Sequence, residues 1–162
     1  ENGAKAPAAL LYRLAASPAA IDALRRPHPP EVLECCPGDD EWSARDIVCH
    51  LRDHEAEEQA RLARVLHEEN PFLSANLDPW AEGQTYQRVT FESAFEVFVA
   101  RRLQTVNWLR SLPLEAWDEP ARDAIFGPSK FGELVAFIAE HDRTHHEQMR
   151  RAIADALRTR AG

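Results

Sequence analysis

His141 and His145 stand four residues apart in the run Glu140–Met149, EHDRTHHEQM, and His50 and His54 show the same spacing much earlier in the chain. On an α-helix, residues i and i+4 differ by about 40° around the axis, so each pair presents two imidazoles on one face. Two imidazoles one turn apart can chelate a transition-metal ion, but two nitrogens rarely hold it alone. A further ligand must come from another element. If the two pairs face each other, His50, His54 or both can complete a site begun by His141 and His145. Spacing does not choose between them.

The remaining histidines read as ordinary surface groups. His146 is turned about 100° from His145 and is expected to face solvent. His28 lies in the turn Pro27-His28-Pro29-Pro30, and His67 falls near a helix C-terminus among glutamates, where the dipole favours it.

Several rival chemistries fail on spacing. A carboxylate-bridged two-metal bundle needs Glu-x-x-His motifs. Three residues before His50, His54, His141 and His145 stand Ile47, Leu51, Ile138 and Asp142, none of them glutamate. The HExxH protease motif fails because Asp142 follows His141. No G-x-S-x-G run is present, and no cysteine is placed with a histidine and an acid, so metal-activated water is the hydrolytic route left. A mononuclear, mostly histidine site remains.

Cys35, Cys36 and Cys49 make no disulfide framework, since adjacent cysteines bridge only with strain and an odd count leaves one thiol over. That usage fits a reducing, cytoplasmic setting. A metal or redox role for the Cys35/Cys36 pair is disfavoured, because metal-binding pairs keep two to four residues between them. The formal charge of −8 argues against a nucleic-acid partner, which would want a basic stripe. The doublets Arg25–Arg26, Arg101–Arg102 and Arg150–Arg151 are interspersed with acids and read as solvated helix faces. No apolar run approaches the ~20 residues of a membrane span. With Met149 as the only methionine, Glu1 reads as a processed or trimmed start.

The elements that must position the histidines are helices separated by proline-rich punctuation. The 162 residues suit one domain, 1–162, with a core of its own. A first helix spans about 7–26, with a joint where Ser17 caps and Pro18 opens a new helical stretch. A connector over 31–42 contains the turn Pro37-Gly38-Asp39-Asp40. Ser43 then caps a helix running to about Glu69, with Asp46 as a short capping-box acid. Ile47, Leu51, Leu62, Val65 and Leu66 form its buried stripe, and Cys49 reads as buried packing. Residues 70–89 form a long crossover loop carrying Trp80 and Tyr86. A helix over about 90–111 follows, and Ser129 is expected to cap a last helix over about 130–158. No alternating strand pattern stands out. The expected fold is all-α, a four-helix bundle with one long crossover.

Trp42-Ser43, then Asp46-Ile47-Val48-Cys49-His50-Leu51 and Asp53, and far downstream Glu140-His141-Asp142, His145 and Gln148, together resemble the DinB/YfiT-like superfamily. The resemblance runs over nearly the whole chain, including the Trp80 loop and the Phe126-Gly127-Pro128 turn. Its motifs are short; their order and separation carry it. It implies a four-helix bundle whose metal is held by three histidines. One falls at the W-S-x-x-[DE]-x-x-x-H-L position, and two lie four apart on the last helix. Placed on this chain, that pattern selects His50, His141 and His145 as metal ligands. His54 becomes a neighbour at the rim, and His146 a bystander. Asp53 and Glu140 become candidates to orient imidazoles, and Gln148 and Arg45 candidates to line the same end of the bundle.

The resemblance further implies a divalent transition metal, zinc or nickel, and homodimers formed through helix faces. The implied reaction is transfer or isomerisation with a low-molecular-weight thiol, in which a metal-bound thiolate attacks an electrophile. Tyr86, Trp80 or Arg45 would shape the pocket. Two other readings stand beside it: a non-catalytic metal-binding module of a stress response, and a metal-water hydrolase of small amides or esters. A thiol-dependent enzyme should show cationic groups for the thiol's carboxylates, and a binding module should have its metal face blocked.

Overall fold

The computed structural model of the chain describes residues 5–75 and 86–162. Four long helices carry it: α1 (Lys5–Arg25), α3 (Ala44–His67), α4 (Phe91–Ser111) and α5 (Phe131–Ala161), with a single-turn α2 (Pro30–Leu33) after α1. Helix α3 packs on α4 and α5, and α1 packs on the same two, so α1 and α3 lie across the bundle from each other. The all-α four-helix bundle expected from the sequence is the observed architecture.

Local chemistry explains most of the helix boundaries. At the start of α3, Ser43 Oγ accepts from the Asp46 amide at 3.1 Å. Asp46 Oδ2 answers by accepting from the Ser43 amide at 3.0 Å, so two orphan donors are satisfied reciprocally. Thr90 caps α4 in the simpler way, accepting from the Ser93 amide at 3.2 Å.

Three expectations need correction. Helix α1 does not break at Ser17-Pro18 and is continuous with Pro18 inside it. Ser17 is buried and its hydroxyl meets His146 Nε2 at 2.9 Å instead of capping a helix. The last helix begins at Phe131, and Ser129 lies in a strand. That strand belongs to a small sheet the sequence did not suggest. Strand β1 (Phe72–Leu73) runs parallel to β2 (Pro120–Asp123), which pairs antiparallel with β3 (Gly127–Lys130). The hairpin turns where Asp123 Oδ1 accepts from the amides of Ile125 at 2.8 Å and Phe126 at 3.0 Å, and Gly127 supplies a φ of +72°.

The core is two apolar clusters with a charged layer between them. One holds Ile47, Val48, Leu51, Phe91, Phe95, Phe98, Met149 and Ile153; the other holds Leu14, Leu62, Val65, Val106, Leu109, Phe131, Val135 and Ile138. On each helix the layer falls in the gap between those sets: Glu55 on α3, Arg102 on α4 and Asp142 on α5. Arg102 is 1% exposed, so its reading as a solvated surface charge is overturned. Its guanidinium uses all of its N–H groups. Nε and Nη2 donate to the two Glu55 oxygens at 2.9 and 2.7 Å. Nη1 and Nη2 donate to Asp142 at 2.5 and 3.0 Å, and Nη1 also reaches the Leu14 carbonyl of α1 at 3.1 Å. One side chain thereby ties all four helices at the level of the histidines. Among the described residues, no helix is long and apolar enough to cross a membrane.

Candidate metal centre

The capping box fixes where α3 starts, and the buried stripe of Ile47 and Leu51 fixes its rotation. His50 is thereby turned toward α5. On α5, Ile138 and Met149 are buried and His141 and His145 lie between them on the adjoining face. The structure brings these three imidazoles together. His50 Nε2 lies 3.2 Å from His141 Nε2, and His145 Nε2 lies 3.0 Å from the same atom. Ligand atoms of all three fall within 4.8 Å of one another.

These separations suit one ion. With metal–nitrogen bonds of about 2.0–2.1 Å, two nitrogens are about 2.9 Å apart at a right angle and about 3.3 Å apart at the tetrahedral angle. The donor chemistry agrees. Gln148 Oε1 lies 2.7 Å from His145 Nδ1, which places the imidazole proton on Nδ1 and leaves the Nε2 lone pair toward the cluster. Burial, reinforced by the other imidazoles, holds His141 far below the ordinary histidine value. Burial and then the His50 ring take His145 down to about 4. Neutral imidazoles clustered around converging nitrogens are what a metal ion requires.

His54 does not join the three. Its ring stacks on that of His141 at 3.8 Å between centroids, and burial lowers its pKa to about 3. Trp42 closes the other side, 5.1 Å from the His50 ring and stacked 6.4 Å from that of His145. Sequence reasoning used Trp42 only as part of a motif and gave it no place at the site. The centre opens into a cavity of about 720 Å³. Its apolar wall is Trp42, Ile125, Phe126 and Phe137; its polar wall includes Glu57, Glu58, Arg61 and Asp123. All four were missed, because nothing in sequence links α3 to a hairpin sixty residues on.

Several expected neighbours are elsewhere. Asp53 orients no imidazole: it accepts from Arg52 at 2.8 Å and from the Tyr86 hydroxyl at 2.9 Å. Glu140 is exposed and pairs with Arg143 and Arg13. Gln148 takes the orienting role instead. Tyr86 is buried in the core and Arg45 is buried beside Asp46; neither lines the cavity. Trp80 lies outside the described residues. His146, expected to be exposed, is half-buried against Ser17 of α1, and His28 is also half-buried. Cys49 is buried, and its thiol is pushed up to about 12 by burial, so it offers no nucleophile at neutral pH. Cys35 packs against the core and its Sγ meets the Cys36 carbonyl at 3.6 Å.

Gln148→Leu removes the acceptor that fixes the His145 tautomer. It is expected to weaken zinc affinity about 10–100-fold, read by competition with a chromophoric chelator. An unchanged affinity would remove Gln148 from the centre.

A four-helix bundle with a half-buried three-histidine cluster that could hold a metal ion, opening into a cavity, is the fold and site of this chain. The model of the DinB superfamily matches residues 13–149, and the chain belongs to that superfamily. Among solved structures, it is similar to YfiT from Bacillus subtilis, described as a probable metal-dependent hydrolase with an unusual four-helix bundle topology. That match has a TM-score of 0.79 at 16% identity, covering 90% of this chain and 85% of YfiT. At such identity the likeness speaks for the fold alone. No curated protein matches the chain.

Proposed function

We propose that this protein is a mononuclear metalloenzyme in which His50, His141 and His145 hold a divalent transition metal, zinc or nickel. The observation that carries the reading is the convergence of three imidazole nitrogens, 3.2 and 3.0 Å apart, on a face that opens into the cavity. Three protein ligands facing open space is the donor pattern of catalytic sites; structural sites are closed by a fourth. The open cavity also speaks against a module whose metal face is blocked. When bound, such an ion supplies an activated nucleophile, by stabilising a thiolate or lowering the pKa of water.

The leading reaction class is transfer or isomerisation with a low-molecular-weight thiol acting on an electrophile. Around the nucleophile, this chain's residues exclude water with Trp42 and Phe137 and orient His145 through Gln148. The cavity wall restricts the thiol. Its cations are Arg61 and Arg151; Arg61 is committed to Asp123 at 2.6 Å, and Arg151 is exposed beside Glu147. A thiol carrying several carboxylates finds no free buried cation among the described residues. That same acidic wall favours a second reading, hydrolysis of a small amide or ester by water, which needs no carboxylate anchor.

The test is elemental analysis of the purified protein beside a His141→Ala, His145→Ala variant. About one equivalent of metal, lost in the variant, is expected. No metal, even after incubation with zinc or nickel, sinks the reading. The loaded protein is then given a thiol with chlorodinitrobenzene and, separately, p-nitrophenyl acetate. Thiol-dependent turnover selects transfer, and turnover of the ester without thiol selects hydrolysis.

A further inference from the structure

Glu58 is a buried group of the cavity that neither reaction uses. It stands on α3 one turn beyond His54, lines the cavity and is only 8% exposed. A carboxylate so buried is ordinarily satisfied by donors. Its neighbours fall short of that. Arg61 Nε lies 3.1 Å away, yet that nitrogen makes no aligned hydrogen bond. The guanidinium is turned instead toward Asp123 and the Ser74 carbonyl of the sheet. His54 Nε2 is 3.5 Å away, beyond good hydrogen-bond distance. Asp123, itself 5% exposed, lies in the same wall, so two buried carboxylates share one guanidinium. The same cavity is also lined by Phe126 and Phe137, whose rings are 4.8 Å apart between centroids.

We propose that Glu58 receives a protonated amine, and that the substrate of this cavity is a small compound with an ammonium group at one end and an apolar body. The proposal rests on the metalloenzyme reading for what happens at the other end. Glu58 follows His50 by two helical turns, about 12 Å along the axis. The ammonium and the reacting atom therefore occupy opposite ends of the cavity, with the aromatic wall between them. An ammonium ion supplies the aligned donors that Arg61 does not, and it corrects the excess of negative charge.

The titration of Glu58 agrees with this vacancy of donors. Burial raises its pKa to about 7; Arg61 opposes the shift, and Glu57, Asp123 and Glu55 add to it. Glu55 is itself held by Arg102, and His54 is kept neutral by burial. A cation bound at Glu58 favours the ionised carboxylate, so binding should strengthen as pH rises through 7. Between pH 6 and 8 the ionised fraction goes from about one-tenth to about nine-tenths, a rise in affinity of up to about tenfold.

The test compares 3-phenylpropylamine with its neutral isostere 3-phenylpropan-1-ol by isothermal titration calorimetry. Both zinc-loaded and metal-free protein are used, with zinc content measured in the same samples. The amine is expected to bind tenfold or more tightly, a factor within the range of one charge-assisted hydrogen bond. The preference should grow from pH 6 to 8, vanish in Glu58→Gln and persist in Glu58→Asp. Equal binding of the two compounds, no binding of the amine, or a preference that survives Glu58→Gln overturns the proposal. Should Glu58→Gln fail to fold, the wild-type preference and its pH dependence decide alone. Failure to take up zinc with the amine preference intact would sink the metalloenzyme reading and leave the amine site standing.

Discussion

Arg102→Met is expected to lower the free energy of unfolding by about 3–5 kcal/mol, because it strands two buried carboxylates. Glu55 and Asp142 are 2% and 4% exposed, and Arg102 is their buried partner. Burial alone works against a charged guanidinium, yet the two carboxylates overcome it and raise its pKa above the ordinary value. Removing the cation reverses that balance: each carboxylate must take up a proton or stay charged in a poor solvent. Arg102→Lys should recover little, since an ammonium cannot span two bidentate carboxylates and the Leu14 carbonyl at once. Urea unfolding measures all of these. A midpoint within a few tenths of a molar unit of wild type for Arg102→Met would show that the layer holds nothing together.

The same layer bears on the metal centre, because Asp142 follows His141 directly and points about 100° away from it around α5. Replacing all three charged groups, Glu55→Leu, Arg102→Met and Asp142→Leu, leaves no buried charge unpaired and is expected to restore much of the stability. If the layer also sets the rotation of α5, that variant should stay stable yet bind zinc more weakly. Equal zinc affinity in the triple variant would confine the layer to stability.

Arg102 also shows what a sequence can hide. Its neighbour Arg101 is half-buried, with Nη1 on the Arg52 carbonyl at 2.7 Å, and the pair reads as one surface doublet. Adjacent residues on a helix point about 100° apart, so the doublet had two fates and composition suggested one. The partners of Arg102 lie on other helices, and no local pattern announces them. His50, His141 and His145 were legible for the opposite reason. Spacing four apart on a helix is a local signal, and the capping box at Ser43 and Asp46 sets the register of His50 within a few residues. Spacing alone still left His54 open, and family likeness was needed to exclude it. The sheet was invisible because Pro120–Asp123 and Gly127–Lys130 carry proline, glycine and charge in place of alternating apolar residues. Their pairing comes from the Asp123 turn and from Arg61, whose Nη2 reaches Asp123 at 2.6 Å across the cavity wall. Glu58 went unnoticed with them, since a glutamate among glutamates on α3 looks solvated until the sheet covers it.

The metal-free protein is expected to lose stability steeply as pH falls from 6.5 toward 4. In the unfolded chain the histidines titrate near 6.5. In the fold, burial holds His145 near 4 and His54 near 3, and His141 lower still. Over that window the unfolded state binds more protons than the folded one, so stability falls with falling pH. Each group contributes up to about 1.4 kcal/mol per pH unit, less where water screens it. Glu58 acts with the opposite sign. Its folded value of about 7 lies above its ordinary one, so the fold holds that proton and acid favours it. One carboxyl against three imidazoles leaves a net loss. A bound metal occupies the lone pairs that protons would take and adds its own binding free energy to the fold. Melting curves from pH 7.5 to 4, with zinc or with EDTA, separate the two effects. The EDTA curve should drop first and the zinc curve should hold to lower pH. His54→Ala, His141→Ala in EDTA should show a shallower drop than the parent. A parent melting temperature that stays flat from pH 6.5 to 5 in EDTA would mean that these imidazoles are not held neutral by the fold, and the donor set would lose its preparation for a metal.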